Sequence, residues 1–423
     1  AGGTRGGPGC VARAGAGGER GAAVRLPNPP GEYRVHAQRS PGQPLRRAAE
    51  GAQPPGTSSG SQNPSAPYTL TLRPGHEELL QLEWARQLAR WKSPSLVERP
   101  AGISRHQVRF VELSGITYAI KELPLQPARR DYEVLRLLEE RGASAVRPIG
   151  LAIRADRDPS AEAAALLITR FADEAIPYRQ VFATSDPGVV RSRLVDALAG
   201  LLVELHLYGC FWGDCSLSNV LYRHDVATLE TVLVAAETAT TRPLPSAGGP
   251  TGDLGIMVEN LGAEMADLAA SQGRSLDEAD FELGEEVAAS YRALWNEVAA
   301  GESIPDDQRY RIADRVRRLN DLGFEVDEIE LEPHPSHQHL HLKVRVGDRN
   351  WHANRIRELT GLDASENQAR QLLADLQYWE LLQGSSLPGD RALRAARWRL
   401  EVFEPWVARL AVRFPRLDPV QAD

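Results

Sequence analysis

The stretch HLYGCFWGDCSLSNVL, residues 206–221, contains the features that decide the fold. A long amphipathic pattern at 189–208 predicts a helix leading into it, and the apolar run 220–222 predicts a short strand after it. Asp214 and Asn219 lie between these two elements, five residues apart. The helix and the strand fix the two ends of the loop. They therefore set the distance between the Asp214 and Asn219 side chains.

The spacing of Asp214 and Asn219 is that of the catalytic loop in phosphoryl-transfer enzymes with a kinase-like fold. In such a loop the carboxylate accepts the proton of the acceptor hydroxyl, and the amide turns back to hold a metal ion on the phosphates. An ordinary polar loop is the alternative, because the same string of residue types is common. The position of the loop in the chain favours the first interpretation.

The chain ahead of this loop predicts an antiparallel sheet interrupted by one helix. Its strands are predicted from five apolar runs, at residues 96–99, 107–113, 117–123, 146–152 and 164–169. Ser114 and Gly115 predict a tight turn between the second and third strands. The interrupting helix is predicted at about 128–141, with Gly142 as its C-terminal cap. Apolar residues at mixed helical spacing predict a further helix within 77–91.

Lys121 lies in the third predicted strand, in the string YAIKEL. An ammonium group in an apolar strand is costly to bury without a partner. Asp131 shares the apolar face of the following helix, because it lies four residues before Leu135 and seven before Leu138. We therefore predict a Lys121–Asp131 ion pair, which would match the phosphate-positioning pair of kinases. A lysine on an edge strand that reaches water is the alternative.

The loop that would cover phosphates is weakly marked. Residues 100–104 lie between the first two strands, where such a loop belongs, and Gly102 is their single glycine. Backbone N–H groups around Gly102 are candidates for phosphate contacts. A plain hairpin loop that covers the nucleotide is the favoured interpretation.

The metal-binding carboxylate expected after the last strand is replaced in this chain. The string LVAAET, residues 233–238, has Ala235 where the fold would place an aspartate. Glu237 has a longer arm and is predicted to reach the metal from two residues further on. Asp253 in GDLG resembles a metal-binding motif, but it follows the asparagine of the catalytic loop by 34 residues. We predict instead that it caps a helix beginning near residue 256.

Residues 94–376 resemble a bacterial family of lipopolysaccharide-kinase-like proteins, similar to the heptose and Kdo kinases of the lipopolysaccharide core. The resemblance lies in the strings YAIKEL, RRDYEVLRLLEERG, HLYGCFWGDCSLSNVL, LVAAET, VRRLNDLGFEVDE and LTGLDASENQARQLLADL. It implies an α+β protein-kinase-like two-lobe fold in which ATP and Mg²⁺ bind between a sheet lobe and a helical lobe. The family usually has Asp at the position of Ala235, so this departure bears on metal binding. A fold does not name a substrate, and the acceptor is left open.

The resemblance also implies a role for each candidate residue. Lys121 would contact the α- and β-phosphates, and Asp131 would orient Lys121. Asp214 would position or deprotonate the acceptor hydroxyl, while Asn219 and Glu237 would hold Mg²⁺. The hinge that touches adenine would be formed by Arg170, Phe171 and Ala172, which follow the fifth strand.

These patterns predict the following domain organisation. Residues 1–67 are rich in Gly, Ala, Pro, Arg and Ser, bury too little apolar surface to offset ordering, and are predicted to be disordered. The ordered parts are predicted to be an N-terminal helical extension at 68–93, a kinase-like domain at 94–300 with lobes at 94–169 and 173–300, and a small C-terminal α/β domain at 301–423. In that last domain a helix at 306–322, an alternating strand at 340–346 and a helix at 360–376 are consistent with recognition of a protein partner or substrate.

Composition restricts the function classes. The net charge of −8 argues against a nucleic-acid-binding surface, which requires a basic face. Three cysteines form no disulfide framework and are typical of a reducing cytoplasm. No apolar run approaches the roughly 20 residues of a transmembrane helix. We expect a cytoplasmic protein.

Two functional hypotheses follow. The first is an ATP-dependent phosphotransferase that acts on a hydroxyl of a small molecule, sugar or glycolipid. The second is a catalytically silent nucleotide-binding and interaction module, which Ala235 motivates.

Overall fold

A computed structural model describes residues 33–36, 67–99, 104–173, 175–184, 187–225, 228–242, 251–305, 307–333, 339–382 and 391–413. Its largest sheet has seven antiparallel strands in the spatial order β1-β2-β6-β7-β5-β4-β3. In chain order they are β1 (Tyr33–His36), β2 (Tyr68–Leu72), β3 (Leu96–Val97), β4 (Val108–Leu113), β5 (Ile116–Leu123), β6 (Pro148–Arg154) and β7 (Ala165–Arg170). The five strands predicted ahead of the catalytic loop are therefore confirmed as β3 to β7.

The predicted turn between β4 and β5 is also present. Ser114 and Gly115 have φ angles of 51° and 80°, in the left-handed region. Two left-handed residues form the hairpin turn whose twist matches that of the flanking strands. This hairpin fixes the register that pairs Val108 with Lys121, so both side chains lie on the same face of the sheet.

One face of this sheet is covered by α1 (Leu125–Glu140), which packs against β6 and β7. Leu135 of this helix belongs to one apolar cluster with Leu123 and Leu167 of the sheet. Gly142 follows the helix with a φ of 71°, which confirms the predicted C-terminal cap. Because side chains alternate along β5, Lys121 and Leu123 share the face toward α1.

The other face is covered by the segment 77–91, and the predicted helix there is wrong. The segment forms two short 3₁₀ helices, Glu77–Gln81 and Leu88–Arg90. Leu82 and Trp84 are both buried in the same apolar cluster. Residues two apart lie on opposite sides of an α-helix, so a continuous helix could not bury both. Residues 68–93 are thus not a helical extension, since they begin with a strand of the main sheet, β2.

The N-terminal prediction is overturned at one place. Four residues of the segment predicted to be disordered form β1, which pairs with β2 in antiparallel register from Tyr33 with Leu72 to His36 with Thr69. Tyr33 and Val35 are strand-forming residues at alternating positions, a signal too short to stand out from the Gly- and Pro-rich sequence around it. The remainder of the prediction for 1–67 lies outside the described residues, apart from Pro67.

A helical lobe follows the sheet. Its helices are α2 (Tyr178–Thr184), α3 (Pro187–Leu207), α4 (Thr251–Gln272) and α5 (Glu278–Ala299). The predicted helix at 189–208 is confirmed as α3, which packs against α5, and α5 in turn packs against α4. Leu198, Met257 and Leu283 contribute to the fully buried core that these three helices share.

Short strands flank the catalytic loop. A three-stranded sheet has the order β11-β10-β8, formed by β8 (Ala175–Ile176), β10 (Val220–Asp225) and β11 (Thr228–Leu233). A two-stranded ladder joins β9 (Cys210–Phe211) to β12 (Thr240–Thr241). The α+β class predicted from the sequence, with a sheet lobe and a helical lobe, is confirmed.

The C-terminal part contains a three-stranded sheet and five helices among the described residues. The strands, in the spatial order β13-β15-β14, are β13 (Glu302–Pro305), β14 (Val326–Pro333) and β15 (His339–Val346). The helices are α6 (Tyr310–Asp321), α7 (Trp351–Thr360), α8 (Glu366–Leu382), α9 (Arg391–Trp398) and α10 (Glu404–Arg413), with a π turn at Arg399–Phe403. Phe324 packs in the core of the helical lobe, so the domain boundary at 301 stays a prediction. Every helix in the described residues is too short or too polar to span a membrane.

The predicted helix at 360–376 begins in the wrong place. Gly361 has a φ of 73° and ends α7, and α8 begins at Glu366. Ser365 and Gln368 exchange hydrogen bonds between side chain and backbone, at 3.2 and 3.3 Å, which is a capping box for α8. A glycine in the left-handed conformation commonly ends a helix, and the prediction did not take Gly361 into account.

Candidate active site

The predicted catalytic loop is shaped by two left-handed glycines. Gly209 and Gly213 have φ angles of 71° and 76°. A side chain at Gly209 would overlap the carbonyl of Arg242, and one at Gly213 would come within 3.0 Å of the carbonyl of Thr238. Glycine is therefore required at both positions. The two turns bring the loop against the segment that follows β11 and place Asp214 at the surface between the lobes.

Two amide side chains hold the carboxylate of Asp214. Asn219 Nδ2 donates to the backbone oxygen of Asp214 at 3.0 Å and to its Oδ2 at 3.2 Å. Asn260 Nδ2, from α4, donates to Oδ1 at 3.2 Å and to the carbonyl of Cys215 at 3.0 Å. The Asp214 side chain keeps 32% of its exposure. It is thus oriented by neighbours on two sides and still accessible to a small molecule.

Asp253 has a different role from the one predicted. Helix α4 begins at Thr251, and the Asp253 carboxylate accepts from Trp212 N at 2.6 Å, Gly213 N at 3.0 Å and His206 Nε2 at 3.0 Å. Burial alone would raise the pKa of Asp253, but the His206 ring and the two amides outweigh it and hold the pKa below its usual value. Asp253 anchors the catalytic loop and does not cap its own helix.

Glu264 completes a polar stripe along α4. Its carboxylate accepts from Leu217 N at 2.7 Å and Ser218 N at 2.9 Å. Asp253, Asn260 and Glu264 are seven and four residues apart, so they share one face of the helix. This spacing is visible in the sequence and is the signal that would have identified all three.

Lys121 forms the predicted ion pair and a closer one. Its Nζ lies 3.6 Å from Asp131 Oδ2 and donates to Glu237 Oε2 at 2.6 Å. Asp131 is fully buried, and its Oδ1 accepts from Ala236 N at 2.9 Å. Burial raises the pKa of Asp131 to about 6, although the Lys121 charge opposes the rise. Asp131 therefore connects α1 to the segment after β11 as well as to Lys121.

Glu237 receives three basic side chains. Besides Lys121, its Oε1 accepts from His106 Nε2 at 3.0 Å and from Arg105 at 2.9 Å. Burial alone would raise the pKa of Glu237, but Lys121 and His106 outweigh it and hold the pKa below its usual value. Glu237 is thus an ionised carboxylate at neutral pH, on the same side of the lobe interface as Lys121.

Arg105 connects this cluster to the catalytic loop. One guanidinium nitrogen lies 2.9 Å from Glu237 Oε1 and 3.2 Å from Asp214 Oδ2, and the side chain is 63% exposed. Arg105 follows the predicted phosphate-covering loop, and the sequence interpretation missed it and His106 because no local pattern marks either residue. Gly102 lies outside the described residues.

The predicted hinge lies between the lobes. Arg170 ends β7, and the backbone N–H of Phe171 donates to Thr117 O at 2.9 Å. The Phe171 ring meets Phe110 edge-on, with 5.4 Å between ring centroids. Ala172 packs beside the cluster under α1. The three residues connect the large sheet to the segment of β8, and their contact with adenine stays a prediction.

The site has oxygen donors of the kind that bind a divalent cation, but it has one carboxylate fewer than a kinase-like site is expected to have. Ala235 is buried and supplies no carboxylate, and its carbonyl accepts from Trp212 Nε1 at 3.0 Å. No group of three His, Cys, Asp or Glu side chains suited to a metal occurs in the described part of the chain. The carboxylates of Asp214 and Glu237 share the cation of Arg105, and with the amide of Asn219 they are the hard oxygen ligands that Mg²⁺ prefers.

Comparisons with known proteins give little beyond this geometry. A family model described as a domain of unknown function, DUF4032, matches residues 293–422. No curated protein matches the chain. The solved structure titled "WaaP in complex with acyl carrier protein" is similar over 59% of this chain and 98% of that chain, at 15% identity and a TM-score of 0.36. This similarity is too low to indicate a function for the chain.

Proposed function

We propose that the chain is an ATP-dependent phosphotransferase that acts on a hydroxyl group of a small molecule, sugar or glycolipid. One observation carries the proposal. Lys121, Glu237 and Asp214 come from three separate segments, and they are joined by consecutive contacts of 2.6, 2.9 and 3.2 Å through Arg105. Along the chain come a lysine in a strand, a carboxylate in the next helix, the hinge, the loop with Asp214 and Asn219, and a carboxylate after the last strand. Protein-kinase-like enzymes have their site residues in the same order.

The residues of the sheet lobe would bind and orient the phosphates. Lys121 presents a cation beside the lobe interface, and Asp131 acts on it as a positioning residue from the fully buried face of α1. Phe171 and its neighbours would border the adenine. Bound ATP would supply the transferable phosphoryl group, and Mg²⁺, held by Asn219 and Glu237, would neutralise its charge.

The residues of the helical lobe would act on the acceptor. Asp214 is held by Asn219 and Asn260 with both carboxylate oxygens engaged by amide donors. A carboxylate in this position would orient the acceptor hydroxyl and take its proton as the new P–O bond forms and the bond from phosphorus to the leaving ADP oxygen breaks. Most of the rate enhancement then comes from positioning and charge neutralisation.

The experiment is ATP consumption by the wild-type chain and by Asp214→Ala. Loss of a positioned general base lowers the rate by about 10²–10⁴-fold. Glu259→Ala is the matched control, because Glu259 is an exposed carboxylate on α4. Equal rates for the wild type and Asp214→Ala would exclude the proposal.

A silent nucleotide-binding module is the second candidate, and two observations favour it. Ala235 removes a carboxylate from the metal site, and the Arg105 guanidinium lies between the two carboxylates that remain. In such a module the wild type would not consume ATP, and Ala235→Asp would create Mg²⁺-dependent stabilisation by ATP. An enzyme that uses Glu237 would instead be active already and would lose activity in Glu237→Ala.

A further inference from the structure

A cavity separate from the candidate active site lies between the helical lobe and the C-terminal part. Its volume is about 980 Å³, and it separates α3 and α5 from the beginning of α7 and α8. Arg193, Ala197 and Glu204 line it along one face of α3, because they are four and seven residues apart. Arg349 and Arg370 line the opposite wall. None of the candidate active-site residues borders this cavity.

Arg349 extends across the cavity toward α3. Its terminal nitrogens lie over Gly200, and a side chain at that position would overlap them, so glycine leaves room for the guanidinium. The guanidinium is 5.5 Å from the ring centroid of Phe324, and Nε donates to Leu322 O at 3.4 Å. Burial lowers the pKa of Arg349; the negative charge of Glu204 opposes this shift, and the positive charge of Arg370 adds to it.

The carboxylates around the cavity already have partners. Glu366 accepts from the backbone N–H groups of His352 and Ala353 at 3.2 and 2.9 Å. Glu297 pairs with Arg318 at 3.0 Å, and Glu230 pairs with a strand arginine at 3.2 Å. Oxygen atoms of these three carboxylates are thus engaged by donors of the described chain.

Two further acidic groups, Glu204 and Asp196, also line the cavity. Burial raises the pKa of Glu204 to about 7, against the attraction of Arg349, and so favours the uncharged form of this carboxyl group. Asp196 is exposed to solvent, where water screens its charge.

The arginines are less well matched. Arg193 and the terminal nitrogens of Arg349 make no ion pair or side-chain hydrogen bond with the part of the chain that the structure describes. Arg370 donates to Asp321 O at 2.8 Å, but its Nε is buried without a hydrogen-bond partner. A buried donor without a partner is unfavourable, so these arginines leave positively charged N–H donors for a ligand to satisfy.

We propose that this cavity binds a small, multiply charged oxyanion, a metabolite bearing phosphate or several carboxylates, through Arg193, Arg349 and Arg370. Guanidinium groups bind both kinds of oxyanion through paired N–H donors. The volume lies in the range of small-molecule sites. Because α3 and α8 form opposite walls, the ligand stabilises the contact between the helical lobe and the C-terminal part. The proposal is independent of the phosphotransferase assignment.

The experiment is thermal unfolding of the full chain in sodium pyrophosphate, in sodium citrate and in sodium chloride at matched ionic strength. We expect pyrophosphate, citrate or both to raise the wild-type Tm by about 3 °C over chloride, as a ligand that binds only the native state does. Stabilisation by pyrophosphate alone assigns a phosphate ligand, and stabilisation by citrate as well assigns a general polyanion.

Four variants locate the effect. Arg193→Gln and Arg349→Gln should each lose most of the shift, while Arg292→Gln, an exposed arginine on α5, and Lys121→Met should keep it. Arg193→Gln removes no hydrogen bond or ion pair to a described residue, so it carries the test even if Arg349→Gln fails to fold. No shift in the wild type would overturn the proposal. A shift kept in Arg193→Gln would overturn it too, and its loss in Lys121→Met would assign the polyanion to the candidate active site.

Discussion

The catalytic loop and the segment around Arg105 face each other across the candidate active site, and different kinds of contact fix them. Helix α4 holds the loop through Asp253 and Glu264, whose carboxylates each accept two backbone N–H groups. Arg105 is held by hydrogen-bonded ion pairs with Glu237 and Asp214, and its side chain is 63% exposed. Exposed ion pairs contribute only about 0–1 kcal/mol, whereas hydrogen bonds to buried carboxylates contribute more.

The comparison indicates which parts of the site exist before a ligand binds. The geometry of Asp214 is set by contacts within the helical lobe, so we expect it to be the same with and without nucleotide. The position of Arg105 reflects the negative charge of Glu237 and Asp214, so a phosphate or a metal ion can displace it. Asp214, in the helical lobe, is therefore preorganised, whereas Arg105, at the edge of the sheet lobe, is free to move when a ligand binds.

The largest effect is expected from removing the anchor of the loop. Asp253→Ala leaves His206 and two backbone N–H groups without their acceptor in a buried region. We expect the free energy of unfolding to fall by about 3 kcal/mol or more, measured by urea denaturation. Glu259→Ala, an exposed residue on the same helix, should change it by less than about 0.5 kcal/mol. A similar small change in both variants would show that α4 does not fix the loop.

The next largest effect is expected in the pH dependence of stability, through Asp131, the buried partner of Lys121. The pKa of Asp131 is raised to about 6 by burial, so the folded protein holds this proton more tightly than the unfolded chain. Its contribution to stability is complete below the unfolded pKa and is lost as pH rises through about 6. Between about pH 4 and 7, the wild type should lose roughly 2–3 kcal/mol relative to Asp131→Asn. A constant difference between the two proteins across this range would contradict the assignment.

The parts of the site that lie in local sequence patterns could be predicted. Lys121 in an apolar strand, Asp131 on the face of α1, and Asp214 with Asn219 on one loop follow from periodicity and spacing. The structure brings Lys121 and Asp131 together and places Asn219 against Asp214. Periodicity failed at 77–91, where short 3₁₀ turns bury apolar residues against the sheet.

Other contacts could not be derived from local sequence. Arg105 meets Asp214 from 109 positions away, and Asp253 meets Trp212 from 41 positions away. Neither Arg105 nor His106 lies in a periodic pattern, since both precede β4 in a loop. The stripe of Asp253, Asn260 and Glu264 was readable as one helical face, but only the packing of α4 against the loop shows what that face binds.

The smallest effect is expected at the adjustable side. Arg105→Gln removes a cation that competes with a metal ion or phosphate for Glu237 and Asp214. The affinity for ATP with Mg²⁺ should stay the same or rise by up to about fivefold, because an exposed ion pair contributes at most about 1 kcal/mol. Arg109→Gln, on the opposite face of β4 from the Val108–Lys121 pair, should leave the affinity unchanged. A tenfold loss in Arg105→Gln would instead assign Arg105 as a phosphate ligand.

The most direct measurement is the calorimetric Kd of ATP with Mg²⁺ for the wild type and for Lys121→Met. If Lys121, Asp214 and Asn219 surround one triphosphate, the wild type binds and the variant binds at least about tenfold more weakly, because a charged hydrogen bond to phosphate contributes about 1.5–3 kcal/mol. The same Kd for both proteins, or no binding by either, would contradict the account.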